Sequence, residues 1–348
     1  MKKTTWFERA IFLSWYCARG DCKFCYMSTQ KKLIKNPKRA RRSYESILAE
    51  VFLCKKLGWK IEFLSGGYES FSRQELLFLI KNVYNIYKEK LWLNIGVLNK
   101  EELELFKPYI VGVCGAVECI NPKIHDYICP SKPINEVENM FKICDELKLK
   151  KAITIILGVG ETLNDIELLK KFIKLLNSKN SKGFENQRFS KPRKSTISVG
   201  LEKSKTFQNK NRIDKITFYR LKPQKGTIFE NKKPIKKDYY VRWIKEIRNE
   251  FPKIKITVGS WLPYLDEISL LLNAGADSIT KFPSIKLFNS KYAKKIEAEA
   301  KKANRKFIGT LTKMPKINLN EIDKLKIKNE LKDKVKIKLK EYLKKMKK

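Results

Sequence analysis

Short apolar runs alternate with longer amphipathic ones, and the alternation repeats eight times along the chain. The runs at 10–15, 60–65, 92–96, 110–118, 152–158, 215–221, 254–259 and 278–282 are rich in Ile, Val, Phe and Trp. Several are continuously apolar, the pattern of strands buried on both faces of a parallel sheet. Between them, helical periodicity runs over 43–57, 73–89, 100–106, 134–147, 163–176, 237–250, 264–274 and 290–303. Ser43 reads as the N-cap of the first helix and Gly58 as its C-terminal stop. Alternating βα units require parallel strands, and eight of them predict a closed α/β barrel of the (βα)8 type. An incomplete (βα)6 barrel is the alternative, because the count is uncertain by a strand or two.

Two segments fall outside this alternation. Residues 177–213 carry ten Lys/Arg against two Glu and lack periodicity, so they read as a long, flexible basic insertion. Residues 313–348 carry fourteen Lys against five acids, and Ile322, Leu325, Ile327, Leu331, Val335 and Leu339 give them a partial apolar stripe. This predicts a Lys-rich helical tail packed on a barrel of residues 1–312, rather than a membrane helix.

These segments supply much of the net charge of +39, and the remainder is spread as single lysines among Ile and Leu. A solvated basic surface explains that distribution better than a nucleic-acid interface. The chain has no run of eighteen apolar residues, and its N-terminus lacks the apolar core of a signal peptide. The expectation is a soluble cytoplasmic protein without a membrane partner. Eight cysteines in no regular framework fit a reducing compartment.

The candidate chemistry gathers where strands end, at the rim that carries active sites in parallel barrels. After the first strand, FLSWYCARGDCKFCYMSTQ places Cys17, Cys22 and Cys25 close together. Three soft thiolates in one loop point to a metal. A closed zinc site wants four ligands, whereas three thiolates on a [4Fe–4S] cluster leave one iron open for a substrate or cofactor. SGGYES follows the second strand, Asn94 and Gly96 end the third, and Glu118 ends the fourth. LGVGET and RLKPQKGT follow the fifth and sixth. Paired glycines there let a ligand approach backbone N–H groups.

This pattern resembles the radical S-adenosylmethionine (SAM) superfamily, in particular its biotin-synthase-like branch, which includes methylornithine synthase and a hydrogenase-maturation enzyme. The resemblance covers about residues 8–285 and implies a [4Fe–4S] cluster on Cys17, Cys22 and Cys25 whose open iron chelates SAM. It further implies reductive cleavage of SAM to a 5′-deoxyadenosyl radical that abstracts hydrogen from a small molecule in the barrel. The electron would come from a donor such as ferredoxin or flavodoxin. Phe24 resembles the aromatic beside the adenine, and Gly66, Gly67 and Glu69 resemble the Gly-Gly-Glu element that receives the methionine amino group. Asn94 is placed with these cofactor-side residues, and Glu118 resembles the acid near the ribose. Gly158, Gly160 and Glu161 resemble the fifth-strand motif that supports the adenine pocket. Pro223, Gln224, Gly226 and Thr227 resemble the stretch after strand six, where backbone near Leu221 would meet the adenine.

Two departures stand out. Tyr68 interrupts Gly-Gly-Glu, and the cysteines are spaced C-x4-C-x2-C where the family has C-x3-C-x2-C. Archaeal members linked to assembly of the iron–guanylylpyridinol cofactor of a methanogen hydrogenase also depart from the usual spacing, and ECINPKIHDYICPSKPI and GADSITKFP resemble theirs.

Cys114, Cys119, Cys129 and Cys144 form no close pair and read as buried small hydrophobes rather than a second cluster. Cys54 reads as core and His125 as a core or surface residue. Trp261 and Lys281, just after strands seven and eight, face the same rim. Two rival functions remain in view: an RNA-modifying radical SAM enzyme gripping tRNA with its basic segments, and a non-catalytic iron–sulfur or zinc scaffold.

Overall fold

The computed structural model describes residues 3–177 and 212–347. The basic insertion expected at 177–213 lies almost wholly outside them. Eight parallel strands close into a barrel: β1 Thr4–Phe12, β2 Lys60–Ser65, β3 Leu91–Asn94, β4 Ile110–Glu118, β5 Lys150–Leu157, β6 Ile213–Arg220, β7 Lys255–Gly259 and β8 Ser278–Thr280. Closure is direct, since β1 pairs with β2 on one edge and with β8 on the other. The six-strand alternative falls away. A short ninth strand, β9 (Lys306–Ile308), pairs with the first residues of β1 and was not foreseen.

The helices are α1 Tyr26–Gln30, α2 Tyr44–Leu57, α3 Arg73–Tyr87, α4 Lys100–Phe106, α5 Pro122–Ile128, α6 Ile134–Glu146, α7 Asp165–Leu176, α8 Lys237–Glu250, α9 Ile268–Asn273, α10 Lys291–Lys302 and α11 Asn329–Met346. Local signals set several ends. Ser72 and Glu75 form a reciprocal capping box on α3, and Gly58 closes α2 at φ +68°. Helix α11 lies on α2, with Val335 and Leu339 fully buried and the Tyr342 hydroxyl against Ser46 and Arg42. Among the described residues no helix is long and apolar enough to cross a membrane.

The first strand starts six residues earlier than its apolar run. Its early half, TTWFER, looks polar, yet Thr5 and Glu8 are almost wholly buried. Glu8 points into the barrel, where it meets Lys215 at 2.6 Å and Lys255 at 2.5 Å. The next residue, Arg9, points outward to Glu50 of α2 at 2.6 Å, as strand alternation requires. The register of β1 against β2 slips between Arg9 and Ile11, facing Ile61 and Leu64. This bulge turns two consecutive residues inward: the Glu62 carboxylate meets Tyr219 and Thr280 across the barrel, and the Phe63 ring lies 4.5 Å from the Lys215 ammonium.

Candidate functional site

The loop from β1 to α1 carries the three cysteines. Ser14 bridges to Arg41, and the Ser28 hydroxyl holds the Cys22 carbonyl at 2.6 Å. A tight turn joins Cys22 to Cys25, with a 3.0 Å bond from the Cys25 N–H to the Cys22 carbonyl. Cys17, Cys22, Cys25 and Phe24 line one cavity of about 150 Å³ at the C-terminal rim. Gly66, Gly67, Asn94 and Glu118 line the same cavity from β2, β3 and β4. Eight of the residues expected on the metal or cofactor side thus meet in one place.

The glycine after Gly66 is required by space. A Cβ on Gly67 would sit 2.3 Å from the Tyr16 carbonyl oxygen and 2.4 Å from the Cys17 Cβ, so only glycine lets the two loops touch. The two departures from the family pattern also meet. The Arg19 guanidinium, from the longer gap, lies 4.1 Å over the ring of Tyr68 and pairs with Glu136 at 2.7 Å. Gly20 absorbs the extra residue at φ +43°, where a side chain would strike the Cys17 carbonyl.

Electrostatics in the cavity centre on Glu118. It holds φ +63°, a conformation rare outside glycine. Its carboxylate accepts from the Thr154 hydroxyl at 3.1 Å and faces the Lys132 ammonium at 3.5 Å. Burial opposes the charge on Lys132, but Glu118, Cys129 and Cys22 together hold its pKa well above the usual lysine range. His125, fully buried, fixes this loop by placing Nε2 2.6 Å from the Lys132 carbonyl.

The thiols themselves differ. Burial pushes Cys25 up to about 11. A hydrogen bond from Cys129 overcomes burial at Cys22 and lowers its pKa below the ordinary thiol value, with Lys132 adding to the effect. All eight cysteines are free thiols, and among the described residues no three acidic, His or Cys side chains close on a single metal point. The donor set nevertheless fits a cluster: three soft sulfurs of one loop line a glycine-walled cavity. A fourth cysteine, Cys114 of β4, also lines it, with burial holding its thiol well above the ordinary range.

Other residues fall elsewhere. Glu69, at φ +55°, lies behind the cavity with Leu13 and Phe71. Glu161 spends its carboxylate on its own loop, accepting from the N–H groups of Gly158 at 2.7 Å, Val159 at 2.9 Å and Gly160 at 3.2 Å. Burial raises its pKa despite those bonds. Gly158 and Gly160 hold φ +106° and +127°, which the turn of this loop requires. Leu221 packs with Cys22, Phe24 and Val159 in an apolar cluster beside the cysteines, its N–H on the Leu157 carbonyl at 2.8 Å. Sequence reasoning missed Lys132 and the contact of Cys129 with Cys22. Both sit in the connection between α5 and α6, and their proximity to the cysteine loop is purely tertiary.

Comparison with known proteins agrees with this geometry. The profile described as the Radical SAM superfamily matches residues 14–173. An uncharacterized protein of Methanocaldococcus jannaschii is 40% identical over 310 residues, spanning 89% of this chain and 76% of the relative. The crystal structure of methylornithine synthase (PylB) superposes with a TM-score of 0.60 at 17% identity, covering 80% of this chain and 72% of that one. The [FeFe]-hydrogenase maturase HydG from Carboxydothermus hydrogenoformans superposes with a TM-score of 0.64 at 16% identity, covering 98% and 78%. At those identities the structures speak for a shared barrel, while the profile falls on the segment that carries the three cysteines and their glycine cradle. Residues 14–173 carry a radical SAM domain, and the chain is a radical SAM enzyme.

Proposed function

We propose that this enzyme holds a [4Fe–4S] cluster on Cys17, Cys22 and Cys25 and binds SAM beside it, acting on a small molecule inside the barrel. The observation that carries this reading is the single cavity lined by all three thiols together with Gly66, Gly67, Asn94 and Glu118. When bound, such a cluster supplies the electron that cleaves the sulfonium C–S bond of SAM and yields a 5′-deoxyadenosyl radical. The chain's own contribution is binding and orientation. Gly66 and Gly67 line the cavity and present backbone to the amino-acid end of SAM, and Glu118, held by Thr154 and Lys132, offers a carboxylate to the ribose hydroxyls. Phe24 and Leu221 form the apolar wall for the adenine.

We place the reaction in cofactor biosynthesis, the kind of task described for HydG, and the iron–guanylylpyridinol cofactor of a methanogen hydrogenase is the specific case favoured by the motifs around Cys129 and Lys281. A ferredoxin or flavodoxin is the proposed donor. The test is anaerobic reconstitution with iron and sulfide, followed by SAM and dithionite. Methionine and 5′-deoxyadenosine are expected from the native chain, with loss of at least a hundredfold in the Cys17→Ala/Cys22→Ala/Cys25→Ala variant. Continued reductive cleavage by that variant would end the assignment.

A further inference from the structure

Strand β8 pairs with β1 only through Trp6↔Ser278 and Phe7↔Ile279, yet β1 runs on to Phe12. Beyond those pairs β8 ends at Thr280, leaving the upper part of β1 without a strand partner on that side. A cavity of about 1270 Å³ opens there, reaching from Glu8, Ala10 and Thr280 out to Arg42 of the β1–α2 connection and Tyr342 of α11. It shares no lining residue with the cysteine cavity. Its walls are unlike those of the cysteine cavity, being aromatic and cationic.

Lys222, Lys281, Lys286 and Lys345 line it, and among the described residues no carboxylate pairs with any of them. The two carboxylates in the wall are already committed, Glu8 to Lys215 and Lys255, and Glu50 to Arg9 and Arg42. Lys222 lies 5.0 Å from the Trp261 ring and Lys281 lies 4.3 Å from the Tyr219 ring. Such contacts support an ammonium without neutralising it.

Lys281 is also held in place at a cost. It adopts φ +69°, unusual for a lysine, immediately after β8. Gly259 makes the space, since a Cβ there would come within 2.7 Å of the Tyr219 ring and 3.2 Å of the Lys281 Cγ. An exposed aromatic completes the site: Trp15, 47% exposed, stacks on Phe12 at 4.6 Å and lines the same cavity.

We propose that this cavity is the substrate chamber, and that its substrate is a flat molecule bearing a carboxylate or phosphate. The anion lies between Lys222 and Lys281, and the ring rests against Trp15 and Trp261. Calling its occupant the substrate rests on the radical SAM reading above; the affinity for flat anions does not.

The test is calorimetric titration of the reconstituted full chain with 1-naphthyl phosphate, 1-naphthoate and neutral 1-naphthalenemethanol. At least one anion is expected to bind tenfold or more tightly than the alcohol, and the stronger anion identifies the headgroup. The Lys222→Gln/Lys281→Gln variant should lose that preference at least tenfold while keeping its iron content and SAM affinity. Lys222→Gln alone, at an unstrained position, should lose part of it even where the double variant fails to fold. Equal binding of all three probes, or an equal loss in a control with exposed Lys60 and Lys100 changed to Gln, would overturn the proposal. A chain that cleaves SAM but shows no anion preference defeats only this inference. One that prefers anions but neither holds iron nor cleaves SAM defeats only the radical SAM reading.

Discussion

The floor and the mouth of the barrel treat charge in opposite ways. At the floor, Glu8 accepts from Lys215, Lys255, the Ser278 hydroxyl at 2.8 Å and the Trp6 indole at 3.0 Å, so its acceptor capacity is used up. At the mouth, Lys222 and Lys281 find rings instead of carboxylates, and both Glu118 and Lys281 occupy the left-handed backbone region. A closed network fixes strand positions, because Glu8 and Lys215 have been removed from water and need their partners. Lys281, open and strained at the rim, has no such structural role, and a ligand is the natural partner for it.

Breaking the floor should have the largest effect on stability. Glu8→Gln leaves two ammonium groups facing a neutral amide, and a loss of about 3–5 kcal/mol is expected by chemical denaturation at pH 7. The pH dependence has a definite sign. Burial alone would raise the Glu8 pKa, but Lys215 and Lys255 hold it far below its ordinary value of 4.5. A carboxylate with a depressed folded pKa contributes stability above the unfolded value and loses it as pH falls towards the folded one. The gap between native and variant should therefore be full at pH 7 and shrink below about pH 4.5; a gap that widens in acid would show that Glu8 is not charged in the fold.

A smaller effect is expected one layer up. Tyr219 donates to Glu62 at 2.5 Å while its ring supports Lys281. Tyr219→Phe keeps the ring and removes the donor, which should lower stability by about 1–3 kcal/mol and leave anion affinity within twofold. A large loss of anion binding would move the boundary between floor and mouth below Tyr219. The smallest effect belongs to the outer surface. Lys60 and Glu89 pair at 2.8 Å with side chains 45% and 55% exposed, so Lys60→Ala should change stability by less than about 1 kcal/mol in thermal melts.

The rim motifs were legible in the sequence because each depends on local chemistry. Close cysteines, paired glycines and an acid at a strand end are short patterns, and the βα alternation tells which rim they share. That is why Cys17, Cys22, Cys25, Gly66, Gly67, Asn94 and Glu118 arrive in one cavity. Glu69 and Glu161 carried the same kind of signal, yet one lies behind the cavity and the other caps its own loop. A motif fixes the chemistry of a side chain, while the direction it points depends on backbone dihedrals that only the packed loop sets.

By itself, the sequence determined the repeat of strands and helices, the three-cysteine loop and the glycines that let backbone segments touch. The tertiary structure alone decided the rest. It made a strand of TTWFER, since Glu8 is tolerable in a barrel only once Lys215 and Lys255 arrive from strands more than two hundred residues away. It brought Cys129 and Lys132 to the cysteine loop, and it opened the breach between β1 and β8 where the unpaired lysines gather. Periodicity reports which residues want burial; which charge will meet which across a closed barrel is a property of long-range pairing, and no local pattern encodes it.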